Sequence, residues 1–310
     1  MILVLQQMCL SRGMELAQLE ALVAVVDEGS FDAAASVLHV TPSAVSQRIK
    51  ALETSAGTVL LRRSRPVVPT DAGVDVVRSA RQVLAVVRES GLPRPRAAAG
   101  GLPLVPLAIN GDSLHTWALP ALAAVGHLAV FDVHREDQDH SAELLRQGEV
   151  MAAVTTQATP VQGCVAVRLG IMRYRPFATP AFVARWFPDG VTPAALAAAP
   201  VMMFDRKDDL QDRYLRSRYL HARGGADVTP PRHYVPSSDD FGRAVRLGLG
   251  WGLLPHEDSA EAEAAGNLVD LDPGRHVDVE LHWQQWSLRT PVLDAVAAAV
   301  RQAARAALLP

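Results

Sequence analysis

Cysteine is nearly missing from this chain: Cys9 and Cys164 are the only two among 310 residues. Two isolated thiols make neither a disulfide framework nor a metal-ligand cluster, so a reduced, cytoplasmic setting without metal or cofactor is expected. Signatures of the common catalytic machineries are missing too. The sequence has no Gly-x-Ser-x-Gly elbow, no Walker-type phosphate loop and no His-Glu-x-x-His pair, although its 10 histidines would allow accidental triads. Gly248-Leu249-Gly250-Trp251-Gly252 is Gly-rich but runs on to Pro255 with no helix expected after it, which favours a close backbone approach over a dinucleotide site. His134 and His140, among Glu136, Asp137 and Asp139, match no standard metal spacing and read as a solvated acidic turn. An enzyme is therefore not expected. The start Met1-Ile2-Leu3-Val4-Leu5 lacks a basic leader and the length of a membrane helix, so neither signal peptide nor membrane contact is expected. A surplus of positive charge is also missing: the formal net charge is -3, which argues against a general nucleic-acid coat and leaves room for a local basic patch.

What is present is apolar material for two or three domains, 49% of the residues, and one segment whose faces separate cleanly. In and just after the stretch from Leu38 to Lys50, Thr41 is a good N-cap and Pro42 suits the first helical position, while Val45, Ile49 and Leu52 recur at the spacing of one buried stripe. Ser43, Gln47 and Lys50 take the opposite face, flanked by Ser46 and Arg48. Gln can bond adenine in bidentate fashion, Ser serves several bases, and Arg and Lys pair with guanine or phosphate. Upstream, Leu16, Leu19, Leu22 and Val26 form one amphipathic helix, and Ser30 caps a second that carries Ala33, Ala34, Val37 and Leu38. Helix, helix, turn and recognition helix is the helix-turn-helix order; a plain bundle with a polar surface helix is the competing reading.

Charge placement favours DNA. Met14 to Val40 carries Glu15, Glu20, Asp27, Glu28 and Asp32 without Lys or Arg, whereas Thr41 to Thr70 carries Arg48, Lys50, Arg62, Arg63 and Arg65 against Glu53 alone. Val59 to Pro66 reads as a short strand turning into a basic loop, a wing beside the recognition helix.

Leu19 to Gly73 resembles the LysR-type transcriptional regulators. The resemblance rests on Gly29-Ser30-Phe31, Thr41-Pro42-Ser43-Ala44-Val45-Ser46 and Pro69-Thr70-Asp71-Ala72-Gly73, with Leu61 departing from a frequent Phe. It implies an α+β multidomain chain: an N-terminal winged helix-turn-helix, a linker helix, and a two-lobed α/β effector domain of the type 2 periplasmic-binding-protein kind. It also implies promoter DNA, RNA polymerase and a homodimer or tetramer as partners. Ala108 to Leu114, Gly163-Cys164, Leu169 to Tyr174 and Phe204 to Asp209 are similar to the arginine- and lysine-responsive branch, which controls basic amino-acid exporters.

The domains follow as an extension over 1–13, the winged head over 14–71, a linker helix over 72–90, a hinge over 91–102 marked by Pro93, Pro95, Gly100 and Gly101, and the effector domain over 103–310. In the family pattern lobe I is 103–174 with 260–310 and lobe II is 175–259. The linker helix, capped by Thr70, has two apolar stripes: Val74, Val77, Arg81 and Leu84, then Val76, Ala80, Val83 and Val87. Two faces need two partners, the head and the same helix of a second subunit, unless the helix is buried within one chain.

The remaining chain alternates strand-like and helix-like runs, which predicts mostly parallel sheets. Strands are expected at 104–109, 127–133, 150–154, 165–169, 201–204, 233–235 and 277–282, and helices at 113–125, 141–147, 193–198, 210–219, 239–247 and 290–308. Open α/β sheets bind ligands beyond their strands' carboxyl ends, which selects Asn110, Asp112, Ser113, Thr116, Trp117, Thr155, Asp205, Ser238 and Asp239. Helix N–H groups at Ser113 suit an α-carboxylate, the aspartates a cationic group, and Trp117 a methylene stem or guanidinium. The expected function is a DNA-binding regulator that senses a small amino acid, lysine or arginine. A ligand-insensitive nucleoid or replication-origin binder would use the same head.

Overall fold

A computed structural model describes residues 15–89, 101–135, 138–219 and 229–310. The extension over 1–13, the hinge over 91–100 and the pair Glu136 and Asp137 lie outside the described residues.

The head is built from α1 (Leu16–Glu28), α2 (Phe31–Val37), α3 (Pro42–Ala56) and a hairpin of β1 (Leu61–Arg62) with β2 (Val68–Pro69). Each helix starts where its cap residue allows. Glu15 and Gln18 cap each other's backbone, Ser30 accepts from Ala33 N at 3.2 Å, and Thr41 accepts from Ala44 N at 3.2 Å, each satisfying an N–H that the helix leaves orphaned. Leu22, Val25, Val45, Ile49, Leu52 and Leu60 fill the core, and Ala34 with Ala35 lets α2 cross closely. Val37, on the same helix, is exposed.

Two glycines of the quoted motifs are steric necessities. Gly29 has φ +66°, and a Cβ on it would stand 2.9 Å from Pro66 Cβ; Val67 N donates to its carbonyl at 2.8 Å, locking the wing to the end of α1. A Cβ on Gly73 would meet the Leu60 carbonyl oxygen at 2.0 Å. That residue lies in the first turn of α4 (Asp71–Glu89), where Thr70 Oγ1 accepts its N–H at 3.0 Å.

The linker helix α4 has its apolar side on α1, through Val77 and Ala80. Arg78, Gln82 and Leu84 are buried as well, because a second flank of α4 lies against the effector domain of the same chain. Part of the surface expected to meet another subunit is thus covered within the protomer.

The effector domain runs through β3 (Leu104–Ile109), α5, β4 (Val130–Arg135), α6 (Gln138–Gln147), β5 (Ala152–Thr155), β6 (Cys164–Ala178), α7 (Pro180–Trp186), α8 (Pro193–Ala198) and β7 (Val201–Met203). It continues with α9 (Leu210–Tyr219), β8 (Arg232–Tyr234), α10 (Ser238–Arg246), β9 (Gly252–Pro255), α11 (His256–Ala264), β10 (Val269–Asp270), β11 (Val277–Trp286) and α12 (Pro291–Ala307). Helix α5 opens at Gly111–Ser113, widens to a π turn over Leu114–Ala118 and continues as Leu119–Ala124.

One sheet has the order β10-β6-β11-β5-β3-β4, with β9 also on β6. β3 is parallel to β4 and β5, but β11 is antiparallel to both β5 and β6. The expected mostly parallel sheet is therefore corrected to a mixed one, because its two longest strands run against each other. Up to Tyr174, β6 pairs with β11; from Tyr174 to Phe177 it pairs with β9, and Phe177 and Ala178 also pair with β10. We propose from this pairing that the chain crosses between lobes at Tyr174 and in the 271–276 connection, later than the sequence estimate near 260.

β9, β10, α7 and α11 escape a reading based on periodicity. In α11 the sequence HEDSAEAEA buries Ser259 alone and has no apolar stripe, while β9 is too short and too fully buried to alternate. The Gly-rich stretch is accordingly corrected: strand and helix do follow it. Its glycines serve close packing, since a Cβ on Gly250 would lie 3.0 Å from the Pro200 carbonyl and one on Gly252 3.0 Å from the Phe241 ring.

Replacing Gly73 by Ala is expected to destabilise the head by about 1–3 kcal/mol, the usual range for overpacking, because the obstacle is backbone. Thermal unfolding followed by circular dichroism would show a lowered midpoint.

Candidate functional site

The first site is the outer face of α3 with the wing. Val45, Ile49 and Leu52 anchor the helix inward, which leaves Ser43, Ser46, Gln47 and Lys50 exposed and Arg48 half-buried. Pro42 sits at the first helical position and Thr41 Oγ1 lies 2.9 Å from Ser43 Oγ, so both residues shape the helix start. His39 takes φ +53° in the turn before α3.

Glu53, the lone acid of this region, is consumed structurally. Its Oε1 accepts from Leu60 N at 2.8 Å and Leu61 N at 3.4 Å, which fixes the wing to the recognition helix. Arg62 is paired with Asp71 at 3.1 Å, both exposed, so the attraction is screened and weak. Arg63 stacks on Phe31 with its guanidinium carbon 5.7 Å from the ring centroid, and Arg65 is exposed beside it. The geometry gives a helix with an exposed polar face and a cationic loop at its flank.

The second site is a cavity of about 440 Å³ between the lobes, a size suited to a small metabolite. From lobe I, the end of β3 and the start of α5 contribute Asn110, Gly111, Asp112 and His115. Tyr174, at the point where β6 changes partners, donates to Asp112 Oδ2 at 2.7 Å. Burial first, and then the negative charge of Asp112, push its pKa well above the usual tyrosine range, so it is a neutral donor at physiological pH.

The opposite wall is the loop after β7 and the start of α9. Asp205 Oδ1 accepts from Lys207 N at 2.6 Å and Asp208 N at 2.8 Å, and Asp208 Oδ1 accepts from Leu210 N at 3.0 Å. Both aspartates thus shape the loop as well as line the cavity. Gln211, only 1% exposed, lines it with Oε1 unpartnered, as does the buried Asn110 with Oδ1 unpartnered. Ser238, beside the N-cap Ser237, closes a third side, while Asp258 is held by Arg246 at 2.6 Å and His115 at 3.4 Å. No ion pair reaches Asp112, Asp205 or Asp208 among the described residues, whereas Asp209 and Asp258 have cationic partners.

Of the residues selected from sequence, Asn110, Asp112, Asp205 and Ser238 come together here. The others are corrections. Trp117 is part of the apolar core, because the turn of α5 that contains it packs against α12. Thr116, half-buried, donates to the Asp112 carbonyl at 2.7 Å, and Ser113 is fully buried next to the wall. Thr155 ends β5, where its hydroxyl accepts from Gln157 N at 3.1 Å and closes a turn. Asp239 is exposed on the first turn of α10. The sequence reading missed Tyr174, His115, Asp208, Gln211 and Asp258 as wall residues. Tyr174 and Asp208 lay inside the quoted motifs, but nothing local marks Gln211, whose position depends on how α9 packs.

Burial pushes the Cys164 thiol up to about 11, so it stays protonated and unreactive. Among the described residues no His, Cys, Asp and Glu cluster could hold a metal, and no helix is long and apolar enough to cross a membrane. His134 lies 3.3 Å from Asp132.

Over residues 16–74 the chain matches the family described as bacterial regulatory helix-turn-helix protein, lysR family, and over residues 113–305 the LysR substrate binding domain. The lysine export transcriptional regulatory protein LysG of Corynebacterium efficiens is 45% identical over 294 residues, covering 94% of this chain and 98% of that one. ArgP from Mycobacterium tuberculosis is 43% identical and superposes with a TM-score of 0.84, over 94% of this chain and 98% of that one. Full-length LysG from Corynebacterium glutamicum with bound effector arginine is 38% identical with a TM-score of 0.78, over 96% and 100%.

Replacing Gln47 by Ala is expected to relax sequence preference at a cost of about 1–3 kcal/mol, whereas Arg63→Ala should weaken binding to all DNA and flatten its salt dependence. Fluorescence anisotropy on specific and random duplexes at several salt concentrations separates the two. Equal losses on both duplexes for Gln47→Ala would show that it only positions the helix.

Burial first, and then neighbouring negative charge, push Asp208 in the cavity wall and Glu257, between the wall residues Pro255 and Asp258, above the usual carboxylate range. A carboxyl raised on folding costs stability above its ordinary pKa and nothing below it. Glu257→Gln should therefore raise the thermal midpoint of the ligand-free protein near pH 8 and leave it unchanged near about pH 4.

Proposed function

The chain belongs to the LysR family of bacterial transcriptional regulators, and from that premise we propose that it senses L-arginine or L-lysine and controls a gene for basic amino-acid export. It is a DNA-binding regulator, not an enzyme. One observation carries the effector assignment: Asp112, Asp205 and Asp208 line a single cavity with no cationic partner among the described residues. Carboxylates sheltered from water without a counter-ion are unfavourable until a cation joins them.

The ligand lies between the lobes. Its ammonium or guanidinium meets Asp112, oriented by Tyr174, and Asp208, while Asn110 and Gln211 offer the unpartnered amide oxygens. Its α-carboxylate meets the free N–H groups at the start of α5 and Arg135, which lines the rim. These contacts draw lobe II toward lobe I. Closure changes how subunits pair in a homodimer or tetramer, and hence the separation of the winged heads on the promoter and their relation to RNA polymerase. The setting is the cytoplasm, where amino-acid levels are read directly. The bound arginine of the Corynebacterium glutamicum protein and the lysine-export name of the Corynebacterium efficiens one support this reading.

Titration calorimetry with L-arginine, L-lysine, L-leucine and L-glutamate is the test. Heat is expected for the cationic pair alone, and Asp112→Asn should weaken it roughly 10- to 100-fold, the worth of one hydrogen bond to a charged group. Binding of a neutral or acidic metabolite instead would abandon the assignment. Footprints on the upstream region of its own gene that are identical with and without every ligand would favour the ligand-insensitive DNA binder.

A further inference from the structure

The end of α6 shows how the head is attached to the effector domain. A helix leaves its last carbonyls without partners. Here Gly148 N donates to the Leu145 carbonyl at 3.2 Å and Glu149 N to that of Leu144 at 2.9 Å, a left-handed closure in which Gly148 has φ +71°. The carbonyls of Arg146 and Gln147 remain, and both are taken by the linker helix. Arg78 Nη1 donates to Arg146 O at 3.3 Å and Arg81 Nη1 to Gln147 O at 3.0 Å.

Two cations at a helix C-terminus also meet the negative end of its dipole. Arg78 is 4% exposed, an unusual state for a charged side chain, and its other nitrogen donates to Asp75 at 2.7 Å one turn earlier on α4. Arg81 is paired with Asp27 at the end of α1, so one guanidinium joins the reading head, the linker helix and the effector domain. The approach leaves no spare room: a Cβ on Gly148 would stand 2.9 Å from Arg78 Cα and 3.0 Å from its Cγ. Helix α6 in turn packs on β3 and β5, and β3 ends at Ile109, next to Asn110 in the cavity wall.

We propose that Arg78 and Arg81 form a clamp on the C-terminus of α6 that docks the reading head on lobe I and makes the head turn with that lobe when the cleft closes. Transmission of the signal presupposes the amino-acid response proposed above; docking does not. The clamp works through geometry on both sides: arginine forks long enough to cross from α4, and a glycine that lets the backbones approach. Each arginine holds its two partners through different nitrogens, Nη1 and Nη2, a spread that the compact ammonium of a lysine does not reproduce.

The experiment compares the full-length protein with Arg78→Ala/Arg81→Ala, Gly148→Ala and the milder Asp27→Asn, which removes an exposed partner of Arg81 and threatens folding least. Hydrogen exchange without ligand is expected to rise along α4 and at the amides of 148–150 in the first two variants, and along α4 in the third. Calorimetric affinity for L-arginine should stay within about twofold of wild type, while the ratio of DNA affinities with and without L-arginine falls toward unity. Wild-type exchange and a wild-type ratio in the double variant, folded by circular dichroism, would overturn the clamp. If the double variant does not fold, Asp27→Asn and Gly148→Ala decide by the same two readouts. Should wild type bind no cationic amino acid, the effector assignment fails and exchange alone still decides the docking.

Discussion

The antiparallel pairing of β6 with β11, from Cys164 opposite Trp286 to Tyr174 opposite Val277, is the constraint on which the effector domain depends. β6 does not stop at the lobe boundary. It exchanges β11 for β9 and β10 and continues to Ala178, so one strand belongs to both halves. The β6–β11 ladder shifts register once, between Leu281 and His282, and Tyr174 sits at the exchange point with its hydroxyl on Asp112. The floor of the cleft is thus a strand shared by both lobes, while its walls hang on shorter strands: β7 is tied in by Met202 N to the Trp251 carbonyl at 2.8 Å and pairs otherwise with β8.

Charge is used in two ways in this molecule, and the difference marks function. Where acids and bases meet, they build. Glu53 holds the wing, Arg173 grips Asp278 with two hydrogen bonds of 2.8 Å, and Arg232 does the same to Asp212 across lobe II. Elsewhere charged side chains stand without an ion pair among the described residues. Lys50, Arg63 and Arg65 are exposed on the head, and Asp112, Asp205 and Asp208 line the cavity between the lobes. A net charge near neutral conceals both patches.

Much of the head was legible from local pattern, because its helices are short, capped and amphipathic, and Thr41, Ser30 and Thr70 cap where a hydroxyl before a helix should. The cleft was legible by half. Asn110, Asp112, Asp205 and Ser238 follow strands whose ends converge, so position along the chain was enough to find them. Trp117 and Thr155 follow strands too, but helix phase turns one into the core and a tight turn takes the hydroxyl of the other. Gln211 and Asp258 belong to helices whose orientation no short-range signal encodes.

By itself the sequence determined what repeats locally: the helix-turn-helix with its polar face, the capped linker helix, the alternation of strands and helices, and the scarcity of thiols. Hydrogen bonding and burial over a few residues settle such features. Only the tertiary structure decided that the sheet is mixed, that Tyr174 stands under Asp112, that α11 forms without an apolar stripe, and that Arg78 and Arg81 close the end of a helix 68 and 66 positions away. Those depend on contacts between segments far apart in the chain, where register, helix phase and the satisfaction of orphaned backbone groups are fixed only when the pieces meet.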